Sequence, residues 1–446
     1  MRAIEEIHIP DVVREVLPAG YSLLPGINQI YELELALAEF RSLDKEDLLK
    51  RGAYYKTVDR EETYHYQLCV GAPLRIDKSS SIRLRTFFQA YQFKTGYATH
   101  GLFPYRGKFH PQLIKAILNV IGVQARETIL DPMTGSGTLN TEASILGINS
   151  IGIDTSPFCC LMSEAKAEAL ALEADAVREY ESKPNKVLTH FHKSRDKLSS
   201  LDKDRKREVF GNPVIEKLFE LCYLDTMGYA RRRANKSIEE LFPIVFDKYV
   251  HAVLNFIEIR NRLGLELGKV TIALGDARNM REMKSGQLPR IEDGSIDAIV
   301  TSPPYSFAIN YLDGDEPQLE FMGYDVDTLK ASMVGLRGRT MVEKVRNYLK
   351  DMDTIFAEMS RVLRQRKYAV IVIGSNVIQL ERTLQSALEK NDSHGLDDLQ
   401  GGISLEDAYV RIASRHGFNL VQRFSHPIEG VRNALRTEEI LFLRRT

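Results

Sequence analysis

The chain has 446 residues, of which 43% are hydrophobic and 27% are charged, so it can bury a sizeable core, which excludes the disordered and fibrous classes. Its formal net charge of −1 excludes the overall basic field that drives non-specific binding to phosphate backbones. The longest apolar runs, such as residues 368–374, are as short as a strand, and residues 1–17 lack the apolar segment of a secretory signal. We therefore expect a soluble, cytoplasmic protein without a membrane partner.

The four cysteines indicate neither a zinc site nor a disulfide framework. None of them belongs to a C-x-x-C pair, and the adjacent Cys159 and Cys160 would make a poor disulfide. We therefore predict that the protein holds no metal.

The first predicted unit is an N-terminal accessory domain over residues 1–95, a candidate for substrate recognition. Helical spacing predicts a helix over residues 30–43. The Tyr-rich sequence that follows contains a candidate strand over residues 63–70.

A strand–turn–helix–strand unit begins after residue 105. The spacing of apolar residues predicts a helix over 110–122 and an apolar strand over 127–133. A Gly-Ser-Gly turn, a helix over 139–147 and a second strand over 150–156 follow. This order is that of a βαβ unit and implies that the two strands are parallel.

Further strands and helices alternate in the second half of the chain, notably helices over 341–363 and 405–416. The further predicted strands are 269–277, 295–305, 367–376, 419–426 and 438–445. Seven strands with intervening helices predict an open, doubly wound, mostly parallel α/β sheet.

One connection is much longer than such a sheet requires. About 110 residues separate the second strand from the third, whereas a βαβ crossover takes roughly 30. Residues 164–268 are rich in Ala, Glu, Leu and Lys and predict a helical insertion. The sheet-forming domain would then comprise residues 96–163 and 269–446.

The turn after the first strand of the sheet, DPMTGSGT over residues 131–138, is suited to a ligand. Gly135 and Gly137 allow a sharp turn and a close approach, and a helix N-terminus attracts negative charge. Asp154, at the end of the next strand, is suited to two ribose hydroxyls. The turn alone does not choose between a nicotinamide dinucleotide and S-adenosylmethionine (SAM), but Asn140 occupies the third glycine position of the dinucleotide fingerprint.

The segment TSPPY ends the fourth strand, at the switch point of the sheet where ligands bind. Two prolines fix the backbone and leave carbonyls without their usual neighbouring donors. Ser302 Oγ and the Pro303 carbonyl would then accept both hydrogens of an exocyclic amine. Tyr305 offers a face on which a base would stack.

These residues resemble the SAM-dependent amino-methyltransferases. Residues 131–138 are similar to the family's DPFxGSGT motif, with Met133 in place of Phe. Residues 302–305 match its [SDN]-P-P-[YFW] catalytic motif in the serine form, which is mostly associated with methylation of cytosine N4.

Two flanking segments resemble a group of DNA modification methylases. One is FPYRGKFHPQLI over residues 103–114, and the other is SPPYSFAINYL over 302–312, where Asn310 replaces the usual Asp. The resemblance covers residues 96–160 and 269–445 and leaves out the N-terminal unit and the insertion.

The resemblance implies a class I methyltransferase (Rossmann-like) fold, SAM as the cofactor and a set of site residues. Asp131, Gly135 and Gly137 would cradle the methionine part of SAM, Asp154 would hold the ribose, and Asp276 would face the adenine amino group. The other implied cofactor-binding residues are Lys108, Phe109, His110, Met133, Thr138 and Ala277. The implied catalytic residues are Ser302, Pro303, Pro304 and Tyr305, and Tyr311 is implied to bind the substrate.

Direct methyl transfer requires only that the amine be aligned with the methyl group, so positioning dominates and no covalent nucleophile is needed. Methylation of cytosine C5 would require a cysteine, usually after a proline, and no cysteine here follows one. The leading hypothesis is a DNA amino-methyltransferase of the restriction–modification type, with cytosine N4 first and adenine N6 second. The alternatives are the same reaction on an RNA base, a non-catalytic SAM-fold binding protein, and a nicotinamide dehydrogenase.

Two local basic clusters in the insertion are candidates for contact with nucleic acid. One lies within residues 193–207, and the other contains Arg231, Arg232 and Arg233. We predict that these arginines bind phosphates. The alternatives are that the clusters are solvated helix faces, and that the insertion is a buttress or a dimer surface.

Overall fold

The computed structural model describes residues 16–71, 93–105, 107–195, 210–232, 236–283, 288, 290–304, 312–374, 376–399, 404–427 and 437–446. The strands are β1 (Ser22–Leu23), β2 (Tyr55–Val58), β3 (Glu61–Glu62), β4 (Thr128–Asp131), β5 (Asn149–Asp154), β6 (Val270–Asp276), β7 (Asn279–Met283), β8 (Ile296–Thr301), β9 (Leu363–Gly374), β10 (Phe418–Pro427) and β11 (Thr437–Arg445). The helices are α1 (Ile30–Ser42), α2 (Lys45–Arg51), α3 (Tyr64–Val70), α4 (Pro111–Val120), α5 (Thr138–Ile145), α6 (Pro157–Ala169), α7 (Ala174–Glu181), α8 (Pro184–Arg195), α9 (Pro213–Arg232), α10 (Ile238–Leu263), α11 (Leu312–Phe321), α12 (Val326–Ser332), α13 (Met341–Val362), α14 (Val377–Glu389) and α15 (Leu405–Arg415).

Among the described residues, eight strands form the main sheet, in the order β10-β11-β9-β8-β4-β5-β6-β7. The neighbours from β9 to β6 are parallel, whereas β11, β10 and β7 pair antiparallel at the two edges. All seven strands predicted for the sheet are present, and β7 is an additional edge strand. The predicted doubly wound α/β fold is therefore confirmed, and its parallel order brings the carboxyl ends of β4, β5, β6 and β8 to one edge.

Both faces of the sheet are covered, which explains why β8 is buried along its whole length. Helices α13 and α15 pack on one face. On the other face α4 and α5 share an apolar core with the N-terminal unit, including Leu17 and Tyr31. The N-terminal unit is also hydrogen-bonded to this layer, because Arg51 donates to the Val123 carbonyl at 2.7 Å and to Asn119 Oδ1 at 3.1 Å.

The predicted strand over residues 63–70 is wrong, since residues 64–70 form helix α3. Thr63 caps the helix, because its hydroxyl accepts the Tyr66 N–H at 3.2 Å. His65, Leu68 and Cys69 are buried, and their spacing of three and four residues is that of a helix. The capping signal and this spacing outweigh the strand preference of the tyrosines.

The described part of residues 164–268 contains helices α7 to α10 together with the end of α6, which crosses the predicted boundary at residues 163 and 164. These helices bury one apolar core of their own, which extends to Leu319 and Phe321 in α11. Helix α11 is the first described element after the Ser-Pro-Pro segment, residues 302–304. The insertion therefore packs directly against the chain that leaves this segment.

A fully buried ionic network joins residues 97–100 and helix α4 to α5, the helix that follows the glycine turn. Glu142 accepts from the Tyr97 hydroxyl at 2.7 Å, lies 2.6 Å from His100 Nε2 and pairs with Lys115 at 3.4 Å. Burial alone would raise the pKa of Glu142, but these neighbours outweigh it and lower the pKa to about 2. The carboxylate is therefore charged in the folded protein, and its charge is matched inside the core.

We predict that Glu142→Gln lowers the free energy of unfolding by ~3–5 kcal/mol, because Lys115 would be left buried without its anionic partner. Urea unfolding would measure the change. The control is Glu46→Gln, which removes an exposed pair with Lys50 and should leave stability nearly unchanged. Equal effects of the two substitutions would contradict the assignment.

We also predict that the buried histidines His65 and His100 contribute stability that is lost as the pH drops from about 7 to about 4. Burial lowers the pKa of His100 from 6.5 to about 4 and that of His65 to about 3. The unfolded chain therefore binds protons in this range that the folded chain does not bind, so stability is present above pH 6.5 and is lost below it. Buried acids with a raised pKa, such as Asp131, oppose this loss, so urea unfolding of the wild type is compared with that of His100→Gln across the same range. Stability should depend less on pH in the direction of this loss when His100 is absent, and identical pH dependence in the two proteins would contradict a buried neutral His100.

Candidate active site

An open pocket lies at the carboxyl edge of the sheet and encloses about 1060 Å³, part of it open to solvent. It brings the glycine turn and the Ser-Pro-Pro segment together, as the parallel order requires. The residues that line it are Tyr105, Gly107, Phe109, Pro132, Met133, Thr134, Gly135, Ser136, Thr138, Asp154, Thr155, Cys159, Asp276, Ala277, Ser302, Pro303, Pro304, Met333, Val334, Gly335 and Leu336.

The two glycines of the turn serve different purposes. Both have positive φ angles, +50° at Gly135 and +73° at Gly137. A Cβ at Gly137 would lie 2.8 Å from the Ser163 backbone, so this glycine permits the close packing of α5 on α6. A Cβ at Gly135 would meet only Tyr105, at 3.7 Å, so Gly135 is the glycine that presents its backbone to the pocket.

Asp154 is fixed by backbone donors and faces the pocket. Its Oδ2 accepts the Gly135 N–H at 2.9 Å, and its Oδ1 accepts the Ser156 N–H at 2.8 Å. Burial raises the pKa of Asp154, and these donors oppose the rise. Each oxygen keeps capacity for a further donor, so the carboxylate can hold ligand hydroxyls.

Asp131 lies behind the pocket wall and joins the two motifs. It is 1% exposed, and its Oδ1 accepts from the Thr301 hydroxyl at 2.7 Å and from the Met133 N–H at 3.1 Å. Burial raises the pKa of Asp131 to about 7. This residue therefore positions the ends of β4 and β8 rather than lining the pocket itself.

The Ser-Pro-Pro segment lines the pocket and is held from outside. The Tyr348 hydroxyl donates to the Pro304 carbonyl at 2.9 Å and is 2.5 Å from the Tyr409 hydroxyl. Both phenols are fully buried, so they act as neutral groups that fix the segment. Tyr305 and Tyr311, which the sequence assigns to catalysis and to substrate binding, lie outside the described residues.

Of the other predicted cofactor residues, some line the pocket and some do not. Met133, Thr138, Phe109, Asp276 and Ala277 line the pocket. Lys108 and His110 are not among the lining residues: the Lys108 amine donates to the His100 carbonyl, and His110 immediately precedes α4. Their part in closing the pocket stays a prediction.

Asp276 also has a partner that the sequence analysis did not identify. Arg278 Nη2 donates to Asp276 Oδ2 at 2.6 Å, and its Nε donates to Oδ1 at 2.9 Å. The carboxylate that the sequence assigns to the adenine amino group is therefore held in one orientation by a bidentate arginine.

Sequence reasoning missed several lining residues. Thr155 and Cys159 directly follow the acidic end of β5, and this position could have identified them. Residues 333–336 carry no such signal, because the long connection after α12 brings them to the pocket.

Two of the predicted phosphate contacts, Arg231 and Arg232, belong to the end of α9, and neither is among the residues that line the pocket. Arg231 is exposed there. The side chain of Arg232 and the whole of Arg233 lie outside the described residues.

The described residues fit SAM. Gly135 has open space where a Cβ would point, Asp154 presents an ordered carboxylate, and Asp276 lines the same pocket. In the part of the chain that the structure describes, no group of three or more His, Cys, Asp or Glu side chains is arranged to hold a metal. No helix among the described residues has the length and apolar character to cross a bilayer.

Comparisons with known proteins agree with this geometry. Residues 102–206 match the family model described as "RMKL-like, methyltransferase domain". The Type II methyltransferase M.BsoBI of Geobacillus stearothermophilus is 23% identical over 363 residues, which is 72% of this chain and 70% of the relative. M.MjaII of Methanocaldococcus jannaschii, also a Type II methyltransferase, is 29% identical over 183 residues, which is 35% of this chain and 34% of the relative.

A shorter match is to the tRNA (guanine(10)-N2)-dimethyltransferase of Methanothermobacter thermautotrophicus, which is 38% identical over 52 residues, 12% of this chain and 16% of the relative. These relatives and the family model all describe methyltransferases. The chain is therefore similar to methyltransferases over residues 102–206 and over the lengths that these relatives match.

Proposed function

We propose that this protein transfers the methyl group of SAM to the exocyclic amino group of a base in DNA, cytosine N4 first and adenine N6 second. The observation that carries the proposal is that Gly135, Asp154 and the Ser302–Pro304 segment line one pocket. Two relatives named Type II methyltransferases support DNA as the substrate.

Three groups of residues would hold SAM. The backbone at Gly135 lies beside its methionine part, the Asp154 carboxylate accepts from its ribose hydroxyls, and Asp276 accepts from its adenine amine. When bound, SAM supplies an electrophilic methyl group on a positively charged sulfur.

The Ser-Pro-Pro segment would position the target base. Ser302 Oγ and the Pro303 carbonyl accept the two amine hydrogens, and these hydrogen bonds strengthen as the nitrogen becomes positive. Tyr348 and Tyr409 hold the segment rigid, so the acceptors need no rearrangement during the reaction. A base in a duplex would have to be flipped out, at a cost of a few kcal/mol.

The insertion is the proposed nucleic-acid contact. It begins at α6, directly after the carboxyl end of β5, and it packs on α11 next to the catalytic segment. Exposed Arg231 and its neighbours Arg232 and Arg233 would bind phosphates there.

The same reaction on RNA is the second candidate, and the similarity to a tRNA methyltransferase over 52 residues favours it. Incubation with tritiated SAM and either DNA or RNA separates the two. Digestion of the labelled polymer and mass spectrometry then identify the modified base. Label in neither polymer would contradict the proposed function.

We predict that Ser302→Ala reduces methyl transfer at least ~10²-fold while SAM still binds, because Ser302 is assigned to the base rather than to the cofactor. Tritium transfer measures the rate, and calorimetry measures SAM affinity. Ser295→Ala is a matched control, because Ser295 immediately precedes the opposite end of the same strand. An equal loss of SAM binding and transfer in Ser302→Ala would contradict the assignment.

We predict that Asp154→Ala weakens SAM binding by roughly 1–3 kcal/mol, because it removes the acceptor for the ribose hydroxyls. Calorimetric titration with SAM measures the change. The control is Asp175→Asn, an almost fully exposed acid on the insertion, which should bind as the wild type does. An unchanged dissociation constant for Asp154→Ala would remove this residue from the cofactor site.

A further inference from the structure

Arg278 is the most heavily engaged side chain beside the pocket. It lies between β6 and β7, and its side chain is 17% exposed. Besides its bidentate pair with Asp276, its Nη2 donates to the Ser332 carbonyl at 2.7 Å and its Nη1 donates to Asp351 Oδ1 at 3.1 Å. One guanidinium thus joins a pocket carboxylate, the end of α12 and helix α13.

The Ser332 carbonyl is the last group before a segment that lines the pocket, residues 333–336. The other end of this segment is also anchored. The Arg337 side chain pairs with Asp351, and the Arg337 carbonyl accepts from Asn347 Nδ2 at 3.0 Å. Asp351 is 4% exposed on its side chain and receives both arginines on its Oδ1. The segment is therefore fastened to α13 on either side of the residues that reach the pocket.

We propose that Arg278 is a positioning residue that makes the SAM pocket selective for adenine. This inference rests on the proposed SAM-binding function and assigns the selectivity to a residue that does not line the pocket. Arg278 donates one hydrogen bond to each oxygen of the Asp276 carboxylate. The lone pairs of Asp276 that are left for a ligand therefore point in a fixed direction. A fixed carboxylate accepts from a 6-amino group and repels a 6-oxo group.

The same guanidinium also sets the position of residues 333–336 relative to Asp276. A lysine could not replace Arg278. The planar guanidinium binds both oxygens of Asp276 and also reaches the Ser332 carbonyl, and a single ammonium group cannot make all of these contacts. Selectivity and the order of the segment should therefore both depend on Arg278. Asp351 should affect only the order of the segment, since it does not touch Asp276 in the described contacts.

The test compares two probes, S-adenosylhomocysteine and S-inosylhomocysteine, which differ in a 6-amino and a 6-oxo group. Calorimetry with the full chain should show that the wild type prefers the adenine compound by roughly 10-fold or more. Arg278→Met and Arg278→Lys should reduce this ratio to about 1. They should raise KM for SAM much more than they lower kcat at saturating SAM, because the described contacts of Arg278 are with Asp276, Ser332 and Asp351 and not with the Ser-Pro-Pro segment.

The matched control is Arg281→Met, which removes a 59% exposed arginine three residues further on, and it should retain the wild-type ratio. Asp351→Asn should keep the ratio but speed hydrogen exchange of residues 333–336. A wild-type ratio in both Arg278 variants, or equal ratios in Arg278→Met and Arg281→Met, would overturn the inference.

Hydrogen exchange of the wild type needs no variant, so it tests the proposed role of Arg278 even if the Arg278 variants fail to fold. In the wild type, S-adenosylhomocysteine should slow hydrogen exchange at residues 333–336 more than S-inosylhomocysteine does at equal occupancy. Equal protection by the two probes would overturn the inference. If the wild type binds neither probe, the proposed function itself fails, and this result is distinct from binding without selectivity.

Discussion

The hydrogen bond from the Thr301 hydroxyl to Asp131 is the contact on which the site depends. The parallel ladder between β4 and β8 has only two paired positions in the described sheet, Ile129 with Ala298 and Leu130 with Ile299. Beyond them the strands diverge into the glycine turn and the Ser-Pro-Pro segment. The buried side-chain bond extends the connection to the last residue of each strand, so the glycine turn and the Ser-Pro-Pro segment keep a fixed separation.

The sequence predicted the sheet well because buried parallel strands are continuous apolar runs that end at Gly, Pro or Asp. It missed β7, whose residues 279–283 are mostly exposed and carry no such run. Gly135 and Asp154 were predicted for the pocket and line it, whereas Asp131 and Gly137 lie behind its wall, where they position strands and helices. Residues 333–336 were not predicted, because their place depends on tertiary contacts that leave no local pattern.

The insertion packs against helix α11, which follows the Ser-Pro-Pro segment in the chain. Helix α11, the first described element after that segment, contributes Leu319 and Phe321 to the core of the insertion, and Gln318 donates to the Leu224 carbonyl at 3.3 Å. A close-packed interface of this kind transmits displacement rather than absorbing it. A displacement of the insertion would therefore be passed to α11.

The shared core on one face of the sheet also has a consequence for synthesis on the ribosome. Leu17 and Tyr31, near the start of the chain, belong to the same apolar cluster as Ile440 and Phe442 in the last strand. Because translation proceeds from the N-terminus, the early residues emerge long before the strand that completes their surroundings. The apolar surroundings of Leu17 and Tyr31 are therefore complete only after residues 440–442 have been synthesised.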